Sequence, residues 1–460
     1  MFRASSIAVT VGAISLVARV AAAQSCENHR PTEAEGSAGT SYGSAEVASY
    51  DSPSGAARIH YALTGVHAPP SAAADGETPD AVIAAATAAD DALAKFAELG
   101  FEAPLGDEDS PCPDNGGSGA FDVYLVQFSA ADGHTLRDHC TTDNRCASFV
   151  MVENNFGGGG YADTEEGLRT VVPHELFHAV QATYDAGLEP WWAEGSAQWA
   201  AKQVYPEIED LERFLPEYFE SPWRPLNVPP GGVVAGFLYA TAIWPVFLEQ
   251  RHGAPLIVSV FDELDSSTED VLETTERVLS SQASTLAATF LEFATYNAAT
   301  GERATPGQGY ANAAEYPLVP LTPFEATPGA AVSEVGSGLG VYYYSVTVAQ
   351  PIELRLEADP TRMAAVMLSV APDGTVDPAS AQPLPATPED DVVVVVAGQS
   401  LAPTDAPFTL RAETPTAAES SAESGGCTLS SRPDTNGWGA SALLVLALLG
   451  ARRRTMKGRG

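Results

Sequence analysis

The feature that most constrains this chain is a change of period close to residue 302. From 164 to 300 apolar residues recur at helical spacing, predicting helices over about 168–186, 191–204, 233–251, 269–281 and 284–299. From 315 to 412 that period disappears. Short β-rich runs replace it (Val341 to Val346, Ile352 to Leu356, Val366 to Leu368, Val392 to Val396, Phe408 to Leu410), separated by Gly, Pro and Asp turns. Ahead of the helical stretch lie a strand at Ala57 to Tyr61, a helix over 79–98 that stops at Gly100, and strands at Phe121 to Val126 and Ala147 to Val152. The expected class is α+β. A mixed domain over 57–301 precedes a small β-sandwich or jelly roll over 315–412, with 302–314 as linker.

The two ends read as addresses. Arg3, the apolar stretch from Ile7 to Val20 and the small residues Ala21, Ala22 and Ala23 predict a signal peptide over 1–23. Residues 24–56 look like a flexible N-terminal segment, with no evident propeptide beyond them. Residues 413–437 form a low-complexity spacer containing Cys427, and 438–460 hold an apolar run, Ala440 to Leu449, followed by Arg452, Arg453 and Arg454. The run is short for a membrane helix, which needs about 20 apolar residues. This tail resembles the MYXO-CTERM sorting signals of myxobacteria, on Gly426-Cys427, the apolar run and the arginine cluster. The resemblance implies export, then display at the cell surface or release after tail processing, with the membrane met only through the tail.

Charge removes other partners. The net charge is −37 and the lysines are Lys95, Lys202 and Lys457 alone, so the folded part repels nucleic acid and anionic lipid. Four cysteines remain in the body of an exported chain: Cys26, Cys112, Cys140 and Cys146. They predict two disulfides, with three connectivities open. His134 and His139 lie near Cys140, but no paired Cys-x-x-Cys spacing supports a Cys/His metal site.

The chemistry centres on His174-Glu175-Leu176-Phe177-His178. Four residues apart on a helix, His174 and His178 share one face and can offer two nitrogens to one zinc ion. Glu175 lies beside the metal and can act as general base. Pro173 removes a backbone donor, so the helix is expected to start or kink there. Downstream stands Trp191-Trp192-Ala193-Glu194-Gly195-Ser196-Ala197. It resembles the third-ligand helix of the gluzincin metallopeptidases, which implies that Glu194 is the third zinc ligand and leaves one position open for water. The order of elements over about 57–300 is similar to that of secreted zinc metalloproteases of myxobacteria and other bacteria. That implies a zincin-like domain: a mixed sheet, active-site helices and a helical C-terminal lobe.

The same resemblance implies further roles. Ser148 to Glu153 would be the sheet edge that pairs with substrate. Tyr239 would stabilise the oxyanion, with His252 as runner-up. Gln198 would support a zinc-bound imidazole, where some gluzincins carry a carboxylate. Calcium could be bound by Asp75, Glu77 and Asp80, or by Asp107, Glu108 and Asp109, although neither stretch has EF-hand spacing. The expected function is zinc-dependent cleavage of a protein or peptide substrate. The alternatives are a degenerate peptidase fold acting as a surface binding module, or a zinc hydrolase of non-peptide substrates.

Overall fold

The computed structural model describes Cys26 and residues 28–415, apart from 71–76, 109, 157–159, 231–234, 265–269, 371–375, 381 and 389–390. The expected export signal, residues 416–437 of the spacer with Cys427, the basic tail, Asp75, Asp109 and Gly157 to Gly159 lie outside these residues. Within them the architecture is α+β.

Strands β1 (Val47–Asp51) and β2 (Ala57–Ala62) form a hairpin, and helix α1 (Asp80–Leu99) leads to β3 (Phe121–Val126), β4 (Gly133–Cys140) and β5 (Cys146–Glu153). The sheet order is β1-β2-β3-β5-β4, with β2, β3 and β5 parallel and the two end strands antiparallel. Alternation divides its side chains between two faces. Ile59, Val123, Leu125, Val150 and Val152 enter the main core with Val82, Ala85, Ala89 and Phe96 of α1, while Tyr124, Phe149 and Met151 face the other side. Gly100 ends α1 in the left-handed region (φ 105°), where a residue with a Cβ would be strained.

Two expectations about this half are corrected. Ser148 to Glu153 is not a sheet edge: β5 lies between β3 and β4, and all of its residues are buried. The end strand is β4, whose polar sequence Gly-His-Thr-Leu-Arg-Asp-His-Cys hides its strand character. Residues 28–56 are not loose either. Tyr42 packs under the second face of the sheet, where its hydroxyl donates to the Leu125 carbonyl at 2.8 Å and lies 3.1 Å from the His60 carbonyl. The buried Arg30 guanidinium bonds Asp107 and Asp122, lies 3.4 Å from Asp138, and stacks over Phe149 at 5.0 Å.

Helix α2 (Thr164–Tyr184) is capped by Asp163, whose side chain accepts from the Glu166 amide at 2.9 Å. It runs through Pro173 without a break, so the helix does not start there. Burial along most of its length outweighs the one backbone bond that proline forfeits. Then come α3 (Pro190–Val204), α4 (Asp210–Phe219), α5 (Ala235–Ala240), α6 (Ile243–His252), α7 (Ala254–Leu264), α8 (Val271–Ser281) and α9 (Leu286–Ala298). The single helix expected over 233–251 is divided at Thr241 into α5 and α6. Thr241 turns its hydroxyl to the carbonyls of Trp191 (2.6 Å) and Leu238 (2.5 Å).

The β-rich region holds β6 (Thr322–Ala326), β7 (Ala331–Ser337), β8 (Val341–Val348), β9 (Ile352–Ala358), β10 (Met363–Val370), β11 (Val376–Ala379), β12 (Leu384–Ala386), β13 (Asp391–Gly398) and β14 (Asp405–Glu413). They make two sheets, β11-β10-β13-β8-β6 and β12-β9-β14-β7, which enclose a shared core. The unbroken valine run of β13 has a physical cause. Val392, Val394 and Val396 point into that core, whereas Val393 and Val395 point into the core of the helical lobe. A strand buried on both faces needs no polar alternation. The Tyr343 hydroxyl donates to the Ala294 carbonyl of α9 at 3.0 Å across this second contact.

Disulfides join Cys26 to Cys112 and Cys140 to Cys146. These bonds are consistent with a secreted or extracellular protein. They also remove the alternative of cysteine ligands near His134 and His139. Among the described residues no helix is long and apolar enough to cross a membrane.

Candidate metal centre

α2 and α3 are joined by a short turn, so the two histidines and Glu194 come from consecutive antiparallel helices. Pro190 sits at the first position of α3, where its missing N–H costs nothing. Gly195 allows α3 to approach the α5–α6 break: a Cβ there would lie 2.5 Å from Thr241 Oγ1. That contact explains why glycine follows Glu194.

Three donor atoms converge. His174 Nε2 lies 3.2 Å from Glu194 Oε2, His178 Nε2 lies 3.4 Å from the same oxygen, and the two Nε2 atoms are 3.1 Å apart. Among the described residues this is the one set of three His, Cys, Asp or Glu side chains poised to hold a metal ion. Ligands about 2.0–2.1 Å from a tetrahedral zinc ion stand about 3.3 Å from one another. The donor spacing therefore fits zinc, and two imidazoles with one carboxylate are a suitable donor set.

Electrostatics point the same way. Burial opposes a charge on His178, but the hydrogen bond and charge of Glu194 outweigh it and raise the imidazole pKa to about 9. Burial would raise Glu194, yet its hydrogen bonds with His174 and His178 hold it well below the ordinary carboxylate range. The cluster attracts positive charge.

The support behind His178 is Gln181, not Gln198. His178 Nδ1 lies 2.8 Å from Gln181 Oε1, and Gln181 Nε2 donates to the Ala193 carbonyl (2.7 Å) and to Ser196 Oγ (2.9 Å). With its amide held by α3, Gln181 presents a carbonyl that holds a proton on Nδ1, so Nε2 is the nitrogen that meets Glu194 in the metal-free protein and that a metal ion would take once its proton has left. Gln198 lines the same cleft but donates to Asp210 at 2.6 Å.

The centre opens into a cleft of about 680 Å³. Gly133, Thr135 and Arg137 of β4 line one side, and Phe214 and Tyr239 line another. Glu175 is almost fully buried within it, and Thr135 Oγ1 lies 2.7 Å from both its Oε2 and its backbone oxygen. The Tyr239 ring meets the His174 ring edge-on at 5.4 Å. Burial raises the Tyr239 hydroxyl pKa, and the carboxylates of Glu194 and Glu175 raise it further, so the phenol keeps its proton. His252 ends α6 and does not line the cleft. Of the residues considered for calcium, Asp107 is engaged by Arg30.

Residues 162–312 match the model of DUF6055, a family of unknown function. The match begins just ahead of α2 and spans α3 and the helical lobe, so it contains His174, His178 and Glu194. No curated protein matches the chain.

Proposed function

We propose that the protein is a zinc-dependent endopeptidase of gluzincin type, exported and then displayed at the cell surface or released. The observation that carries this reading is the spacing of His174, His178 and Glu194, 3.1–3.4 Å between donor atoms, with Glu175 directly after His174 on the same turn. A zinc ion held by His174, His178 and Glu194 would supply a lowered water pKa and a Lewis acid for the scissile carbonyl. Glu175 accepts a proton from the attacking water and returns it to the leaving amine. Tyr239, protonated at the lip of the cleft, donates a hydrogen bond to the oxyanion of the tetrahedral intermediate. β4 takes over the substrate-pairing role expected of β5, since its outer edge has no strand partner among the described residues. The zincin-like assignment of the domain belongs to the same proposal, as does a jelly-roll reading of the two β-sheets.

Hydrolysis of casein and of an internally quenched peptide library by the zinc-loaded protein tests the reading, with Glu175→Gln as control. The wild type is expected to cleave internal bonds, and Glu175→Gln to lose at least about 10²-fold in rate with one zinc retained. A zinc-loaded wild type that cleaves no peptide would favour a surface binding module. Cleavage of esters or other non-peptides alone would favour a different hydrolase.

A further inference from the structure

We propose that Thr135, on the end strand β4, is a positioning residue that orients Glu175 for proton transfer. The rate effect rests on the peptidase reading, whereas the geometry is independent of it.

The Thr135 hydroxyl carries one proton and has two acceptors within 2.7 Å, the carboxylate Oε2 and the backbone oxygen of Glu175. Both belong to the same residue. Thr135 is the one side chain that donates to the Glu175 carboxylate among the described residues. A buried carboxylate on a two-carbon stem is thereby tied to a strand.

The strand itself is shaped for this contact. Gly133 lies two positions before Thr135, on the same face of β4. A Cβ at Gly133 would come within 2.6 Å of Glu175 Cγ and 2.7 Å of its Oε1. Gly133 thus makes room for the Glu175 side chain, and Thr135 supplies its hydrogen bond. The register of β4 is secured away from the site. Thr135 stands opposite Val150 of β5, and the hairpin is closed by the Cys140–Cys146 bond. Asn28 donates to the Arg137 carbonyl at 2.9 Å, and Arg30 lies 3.4 Å from Asp138. The hydroxyl is therefore delivered by a fixed strand, as preorganised proton transfer requires. Neither Gly133 nor Thr135 belongs to the metal motif.

A purely structural role, tying the strand to the α2 backbone, would leave the carboxylate where it is when the hydroxyl is removed. Thr135→Val removes the hydroxyl at nearly constant shape, and Thr135→Ser keeps it. Two readouts separate the roles. In crystal structures of the metal-free proteins, the Glu175 carboxylate is expected to hold its position in Thr135→Ser and to leave it in Thr135→Val. In the zinc-loaded enzyme, Thr135→Val should lower kcat by about 10- to 100-fold with KM changed by less than about twofold, and Thr135→Ser should restore it. Zinc content should stay at one equivalent throughout. Should Thr135→Val not fold, Thr135→Ala gives the same comparison. An unmoved Glu175 carboxylate in the valine or alanine variant overturns the proposal, as does an equal loss of kcat in the serine variant. If the wild type cleaves no peptide, the peptidase reading fails and the crystallographic comparison alone decides the role of Thr135.

Discussion

Gln181 holds His178 by a 2.8 Å contact between Oε1 and Nδ1, while its amide nitrogen is anchored to the Ala193 carbonyl and Ser196 on the neighbouring helix. The ligand, its support and the third-ligand helix are thereby one unit. Gln181→Leu should weaken zinc binding about 10- to 100-fold, as removal of such supports does elsewhere. Competition with a chromophoric chelator measures this. An unchanged affinity would mean that packing alone orients His178.

Protons compete with the metal. In the metal-free protein His178 titrates at about 9, because Glu194 outweighs the burial that disfavours its charge. Zinc takes only neutral imidazole. Uptake at pH 7 should therefore release about one proton from His178, and apparent affinity should fall about tenfold per pH unit below that pKa. Calorimetry in buffers of different ionisation enthalpy counts the protons. The same raised pKa stabilises the metal-free fold fully below about 6.5, and that contribution is lost as pH rises through about 9.

Tyr239 lines the cleft beside His174, and under the peptidase proposal its hydroxyl serves the oxyanion. Tyr239→Phe keeps the ring that meets His174 and removes only the hydroxyl. Steady-state kinetics should show kcat lowered by about 10²-fold with zinc content unchanged. A rate equal to wild type would remove Tyr239 from the chemistry.

Arg30 is a buried cation facing three carboxylates, Asp107, Asp122 and Asp138. Arg30→Met would remove the cation they share, leaving Asp122 with His60 and Asp138 with the Ser110 hydroxyl, and urea unfolding should show a loss of about 3–5 kcal/mol. Burial, more than the neighbouring carboxylates, already lifts Asp107 to about 6 despite the arginine, which shows how poorly that site tolerates negative charge. A loss below about 1 kcal/mol would mean that the cluster is hydrated and relaxes freely.

What could be read in the sequence follows from how local each signal is. His174 and His178 lie one turn apart, and Glu194 sits in a short pattern whose glycine has a packing cause at Thr241. Gln181 was within reach too, since it stands three residues after His178 on the same helix face. β4 was not, because an end strand lined with His134, Arg137 and Asp138 lacks the apolar alternation that marks β2, β3 and β5. The anchoring of residues 28–56 was hidden for another reason. Arg30 meets carboxylates from positions 107, 122 and 138, and only the folded sheet brings them together. Helix α4 was masked by an internal Pro216 and by its acidic residues, although its apolar face buries Leu211, Leu215 and Tyr218. Thr241 divides α5 from α6 through bonds to Trp191, a partner fifty positions away.

The central claim is that His174, His178 and Glu194 hold one zinc ion. Titration of the metal-free protein with zinc, read by X-ray absorption, tests it most directly. The account predicts one equivalent bound, with two imidazole nitrogens, carboxylate oxygen and no sulfur in the coordination shell, and a loss of affinity in Glu194→Gln. The absence of stoichiometric binding, or an affinity indifferent to Glu194, would contradict it.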